Sequence, residues 1–288
     1  MKKKAIKSLI VENAQFFVSI PSFLWIILFF YLPLMTVIGR SFLIKTSLSL
    51  VPTISLSNYA TFVDWTYFAI IKRSLLLAFG TACACLLIAY PVAYYIARTV
   101  KHGKNVLLFF IMLPFSVNLL IQAYSWFFML GKTGLVNKVL LFLGIISQPV
   151  QFLNTPGAVY VGMIYCYLPF MILPLYAVLE KIDSRFIEAS LDLGASWIET
   201  FVRVIFPLSL PGISTGFFLV FIPVFGEFVI PALLGGGKQM YASSLISYYF
   251  LTTRNLTLGS AFTVLSSVIV LLVAFFMYRR LKKIGSYK

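Results

Sequence analysis

Only eight of the 288 residues are acidic, and their placement decides what chemistry is open to the chain. Glu227 lies inside a long apolar run and is bracketed by Pro223, Gly226 and Pro231, a pattern that breaks or kinks a helix and frees its carbonyls. A carboxylate in hydrocarbon is costly, so it faces a cavity, a solute or a partner. A buried ion pair with a neighbouring subunit, or a protonated carboxyl held by a hydrogen bond, would satisfy it equally. Five more acids, Glu180, Asp183, Glu188, Asp192 and Glu199, crowd into one short stretch. Neither group has catalytic company: the sequence holds no HExxH helix, no nucleophile elbow and no phosphate-binding loop. Gly131-Lys132-Thr133 looks like a fragment of such a loop, but Trp126 stands where its first glycine belongs and no strand precedes it. His102 is the only histidine, and Cys83, Cys85 and Cys166 all fall in apolar runs with no metal-ligand spacing. The chain is read as a non-enzyme with no metal or cofactor of its own.

Two further groups of residues suit the handling of a solute. Asn118, Gln122 and Ser125 recur at i, i+4 and i+7, one polar stripe on an otherwise apolar helix. Such a stripe lines either a helix contact or a pathway. Tyr160, Met163, Tyr167 and Met171 form an aromatic and thioether face, which suits core packing or, through its rings, a cationic solute. Glu227, Asn118, Gln122, Ser125, Tyr160 and Tyr167 are therefore the candidate pathway residues.

The elements that must position them are transmembrane helices. Hydrophobic residues make up 61% of the chain and charged ones 11%, which excludes a soluble domain. Six runs have the length to cross a bilayer, about 16–38, 74–97, 106–130, 158–179, 212–234 and 259–278. The first is too long for a signal peptide and lacks its cleavage site, so it reads as a retained span. The expected fold is all-α: a polytopic membrane protein of six helices forming one permease domain over 1–288. Of the 23 lysines and arginines, 15 fall on the side of both termini and of the acidic loop, including Lys2, Lys3, Lys4, Lys7 and Lys288. By the positive-inside rule that side is the cytoplasm. The other side carries Arg40, Lys45, Lys72, Arg73, Lys132, Lys138, Lys238 and Arg254, and between 39 and 73 it is polar enough to be only loosely ordered. The net charge of +15 is thus topology and lipid contact, with no basic stripe to suggest nucleic acid.

The acidic stretch from Glu180 to Pro211 is predicted to be helix, glycine hinge, helix. Asp183 or Ser184 caps the first helix, which carries Phe186, Ala189 and Leu193 on one face, and Gly194 ends it. Ser196 and Glu199 form a capping box for the second, with Trp197, Phe201 and Val204 on one face, and Pro207 is expected to stop it. Both keep an apolar face that calls for a protein partner or a lipid surface.

Glu188-Ala189-Ser190, then Gly194, then Val204-Ile205-Phe206-Pro207 resembles the cytoplasmic EAA loop of binding-protein-dependent ABC importer permeases. Ser190, Val204 and Phe206 replace three consensus residues by similar ones. Longer runs, among them Leu113-Pro114-Phe115, Tyr167-Leu168-Pro169-Phe170-Met171 and Gly226-Glu227-Phe228-Val229-Ile230-Pro231, resemble the B-type subunits of the spermidine/putrescine branch; Ala232 departs from the acid expected after Pro231. The resemblance implies the type I importer permease fold in a bacterial inner membrane, with Glu188, Ala189, Ser190, Asp192, Gly194, Phe206 and Pro207 coupling to an ATPase. It also implies a second permease subunit, two ATPase subunits that use ATP and Mg, and an extracytoplasmic solute-binding protein. Permeases for ferric iron, thiamine or an aminophosphonate share the loop, and a membrane scaffold or channel that binds a cytoplasmic protein is the reading from another class.

Overall fold

The computed structural model describes residues 20–44 and 53–285; Lys2, Lys3, Lys4, Lys7, Lys45, Lys288 and the first four residues of the expected 16–38 span lie outside them. The described residues form helices α1 (Ile20–Ser41), α2 (Ser57–Ala60), α3 (Trp65–Thr99), α4 (Lys104–Met112), α5 (Leu119–Leu130), α6 (Leu135–Phe142), α7 (Pro156–Lys181), α8 (Ser184–Asp192), α9 (Trp197–Gly226), α10 (Val229–Gly235), α11 (Ala242–Ser247) and α12 (Leu256–Gly285). The described strands are the two-residue pair β1 (Leu43–Ile44) and β2 (Thr53–Ile54), antiparallel with Leu43 opposite Ile54. The chain is an all-α polytopic membrane protein. Helices α1, α3, α7, α9 and α12 are each long and apolar enough to cross a bilayer, and the helices Lys104–Ser116 and Leu119–Phe142, which meet at 90°, are together apolar enough for a broken sixth span or a re-entrant loop.

That bend corrects the expectation of one straight span over 106–130. Pro114 opens a single 3-10 turn, Val117 is extended, and Asn118 caps the new helix by accepting from the Leu120 N–H at 2.8 Å. A proline followed four residues on by a capping amide stops one helix and starts the next. The second span also begins earlier than expected, at Trp65 rather than 74.

The chain divides into two compact units. The first holds the residues up to Asp64 together with Tyr248–Leu265. Here the stretch expected to be loose is tied down: Asn58 is buried and donates to the carbonyls of Ser41 (2.9 Å) and Leu43 (3.0 Å), and the Tyr59 hydroxyl donates to Ser41 Oγ at 2.7 Å. Phe62 packs on Phe262 with ring centroids 5.1 Å apart. Helix α1 is apolar and buries none of its membrane-spanning window.

The second unit, Trp65–Ser247 with the chain from Ser266 onward, contains the bundle that positions the candidate sites. Helices α3, α7 and α9 pack on one another. They approach closely because the seam of α3 is small: Ala78, Ala82, Cys85, Ala89 and Ala93 recur every three or four residues and are fully buried. Without a hydrophobic force between helices in lipid, close packing of small residues is what holds a bundle together. On α9, a Cβ at Gly216 would lie 2.8 Å from Met171 Sδ of α7, so a larger residue there would push the two helices apart. Met163 and Met171 are fully buried, which resolves that part of the α7 face as packing.

Candidate functional site

At one end of the bundle the chain turns out of α7 into the acidic loop. Asp183 caps α8, its carboxylate accepting from the Arg185 N–H at 3.0 Å. The helix ends in a pair of backbone bonds, Ala195 N–H to Ser190 C=O (3.2 Å) and Gly194 N–H to Leu191 C=O (2.9 Å), around Gly194 at φ +84°. This is the Schellman closure, and it needs a residue that tolerates the left-handed region. Ser196 then caps α9, accepting from the Glu199 N–H while its own N–H donates to the Glu199 carboxylate at 2.9 Å. The capping box and the glycine hinge are as the sequence predicts.

Pro207 does not stop the second helix. Trp197–Gly226 is one continuous helix, with a wide π-turn at Phe201–Ile205 immediately before the proline. The wider turn gives room to the proline ring, which would otherwise crowd the carbonyl four residues back. The loop's second arm is therefore the first two turns of a membrane span.

Both arms are braced. Ser190 Oγ meets the hydroxyl of Thr200, which is buried, at 3.0 Å, so the serine that replaces alanine in the family pattern ties α8 to α9. Trp197 stacks on Phe201 (5.7 Å) and meets Tyr94 of α3 edge-on at 6.0 Å. Tyr90 of α3 packs on Phe201 and Phe206 and shares a 3.0 Å hydrogen bond with Ser209. On the other arm, Arg98 donates to the Ile182 carbonyl, and Lys104 pairs with Glu180 at 3.3 Å. Apolar side chains are left outward on both arms, Phe186, Leu193 (89% exposed), Ile198 (72%) and Val202 among them, and Phe186 and Leu193 line a groove of about 770 Å³ with Ala189, Glu199, Arg203 and Val204. Glu188, Asp192 and Gly194 are exposed, Phe206 packs against Tyr90, and Pro207 is half-buried.

The second candidate site is where α9 ends. Glu227 leaves the helix with extended backbone (ψ 123°), and its carboxylate is used twice. Oε1 accepts from the Val229 N–H at 2.8 Å, capping α10, and Oε2 accepts from the Tyr167 hydroxyl of α7 at 3.1 Å. Its own carbonyl accepts from Ser243 of α11 at 2.7 Å. Pro231 sits in the first turn of α10, where its missing N–H costs nothing. The sequence thus breaks here because the carboxylate replaces the backbone partners that the break removes.

The other pathway candidates separate. Gln122 donates to the carbonyls of Pro114 and Val117, bracing the 90° bend, and its own Oε1 is buried without a partner. Asn118 is the cap at the same bend, and Ser125 donates back to the Ile121 carbonyl at 2.8 Å. Gln122 and Ser125 line a cavity of about 410 Å³ with Val117, Trp126, Met129 and Tyr165. Trp126 and Tyr165, 5.3 Å apart and edge-on, were not among the sequence candidates, because neither falls on a polar stripe. Tyr160 donates to the Leu76 carbonyl of α3 and fills the space over Gly80, away from the carboxylate.

Residues 89–283 match the family described as binding-protein-dependent transport system inner membrane component. The chain belongs to that family. The matched segment contains the whole two-helix loop and Glu227, and it bears out the resemblance read from residues 188–207. Among curated relatives, the spermidine/putrescine transport system permease protein PotB of Escherichia coli (strain K12) is 38% identical over 256 residues, covering 88% of this chain and 93% of its own. PotB of Haemophilus influenzae is 39% identical over 258 residues, 89% of this chain and 90% of its own. Among solved structures, a bacterial ABC transporter that imports the acidic polysaccharide alginate superimposes with a TM-score of 0.76 over 99% of this chain and 100% of its own, at 18% identity, and so shares the fold. The chain is thus an inner-membrane transport permease.

Proposed function

We propose that this chain forms half of the translocation pathway of an ATP-driven importer for polyamines, with the loop from Asp183 to Pro207 as the surface on which a cytoplasmic ATPase docks and pushes. The observation that carries the mechanical half is the two-arm construction of that loop. One arm, α8, presents unpartnered apolar side chains; the other, the start of α9, is continuous with a membrane span and stacked on α3. A displacement at Gly194 therefore reaches α9 and α3 as a rigid motion, which is how a subunit with no ATP site of its own would receive work. Glu188 and Asp192, exposed beside the hinge, offer the charges that would orient the docking partner.

The solute half rests on the PotB relatives and on Glu227. A carboxylate at the end of a membrane span, with Tyr167 donating to it, offers a weak cation site of the kind a transported ammonium needs for brief residence. In this reading both termini and the loop lie in the cytoplasm, the chain acts as one permease domain beside a second permease subunit, two ATPase subunits bind ATP and Mg, and an extracytoplasmic solute-binding protein selects the cargo. The test is ATP-dependent uptake into proteoliposomes holding the complete transporter and its binding protein. Spermidine or putrescine should accumulate while thiamine and ferric iron do not; uptake of one of those in place of a polyamine would overturn the substrate assignment and leave the coupling assignment standing.

A further inference from the structure

Helices α3, α9 and α12 leave two adjoining apolar clefts between them, which share Phe79 and Met277. The one nearer the two-helix loop has a volume of about 440 Å³, walled by Leu86, Phe206, Leu210, Ile213, Phe217 and Phe276, with Arg280 beside it. The other, about 390 Å³, has Lys72 at the opposite end. From Lys72 to Leu86, α3 rises about 21 Å, so together the clefts reach across most of a hydrocarbon core about 30 Å thick. Each has apolar walls and one cation, and the two cations lie towards opposite membrane surfaces.

A lipid chain is a slim apolar body at hand in a membrane, and the single cation at the end of each cleft complements an anionic headgroup. Arg279 has its guanidinium over the Phe275 ring at 4.6 Å, whereas Arg280 is exposed at the mouth of the larger cleft, where a headgroup phosphate would sit. We propose that the cleft between α3, α9 and α12 nearer the two-helix loop binds one anionic phospholipid, an acyl chain lying between Phe79 and Phe217 and the headgroup on Arg280. Phe206 and Leu210 belong to α9 just after its π-turn, so the bound lipid rests against the segment through which the loop joins the membrane. The inference requires only that the chain span a membrane, and not that it carry any particular solute.

Native mass spectrometry of the intact transporter, titrated with dioleoyl phosphatidylglycerol or dioleoyl phosphatidylethanolamine, tests it. The glycerol lipid should be retained about fivefold better, the factor expected for one headgroup contact with a cation. Arg280→Gln should erase that preference, and Leu210→Trp, which fills the cleft, should lower retention of both lipids. Leu86→Trp is the substitute if Leu210→Trp does not assemble. Equal retention by the wild type and both variants would overturn the proposal. So would a photocrosslink from position 277 to another protein subunit, which would show a protein helix in the cleft.

Discussion

Gly194 offers the most direct way to weigh the hinge. It stands at φ +84°, and a Cβ added there would meet nothing within 4 Å. A substitution therefore adds no clash, and its whole cost is backbone strain. For an L-residue in the left-handed region that cost is about 1 kcal/mol for Ala and about 2 kcal/mol for a β-branched residue, while Asn is tolerated there. At 1.36 kcal/mol per tenfold, the closed loop should fall about fivefold in Gly194→Ala and about thirtyfold in Gly194→Val. Gly194→Pro is more severe, since it also removes the N–H that closes onto Leu191. The assay is substrate-stimulated ATPase activity of the complete transporter in nanodiscs, with assembly confirmed by its mass. Stimulation should decline in the order Gly, Asn, Ala, Val, Pro while basal ATPase activity stays. Equal stimulation in Val and Asn variants would refute the claim that loop geometry at this residue carries the coupling.

Other perturbations separate positioning from contact. Glu227→Gln keeps a carbonyl acceptor for the Val229 N–H and turns its NH2 to the Tyr167 hydroxyl, which can accept, but removes the charge, so the fold should hold and polyamine uptake should drop at least tenfold; uptake at the wild-type rate would make the carboxylate a cap only. Ser190→Ala leaves the buried Thr200 hydroxyl unpaired at a cost of about 1–2 kcal/mol, read as a lower thermal midpoint of the purified assembly. Gly216→Leu puts side-chain atoms where Met171 already lies and should abolish assembly, whereas Phe218→Leu should not. Glu188→Arg should leave the folded membrane protein intact and lose stimulated ATPase activity, because the exposed residue makes its contacts only with a partner.

The parts legible in the sequence were those set by local chemistry. Asp183, Gly194 and the Ser196–Glu199 box fix their helix ends through hydrogen bonds within a few residues, so types and spacing suffice to find them. The break at Glu227 was equally plain from the flanking prolines and glycine. Pro207 does not stop the helix because the outcome depends on the register before it, and the π-turn at Phe201–Ile205, whose Phe201 packs on Tyr90 of another helix, has no signature in the local sequence. The stripe of Asn118, Gln122 and Ser125 was found, but not its work: the right-angle bend that uses Asn118 and Gln122 lies at residues 114–118, inside a run whose hydropathy reads as continuous. Trp126 and Tyr165 gave no signal at all, since two aromatics on separate helices become a pair only in three dimensions. Small-residue seams such as Ala78 to Ala93 carry no polarity contrast, yet they decide which helices touch.

The central claim is that the exposed arms on either side of Gly194 are covered by an ATPase subunit. Leu193 and Ile198 are the residues to probe, replaced singly by cysteine in a background lacking Cys83, Cys85 and Cys166, with Lys238→Cys as a control in a distant loop. In the complete transporter, positions 193 and 198 should resist maleimide labelling and crosslink to the ATPase subunit, and position 238 should label freely. Full labelling at 193 and 198 with ATPase present in stoichiometric amount would contradict the account.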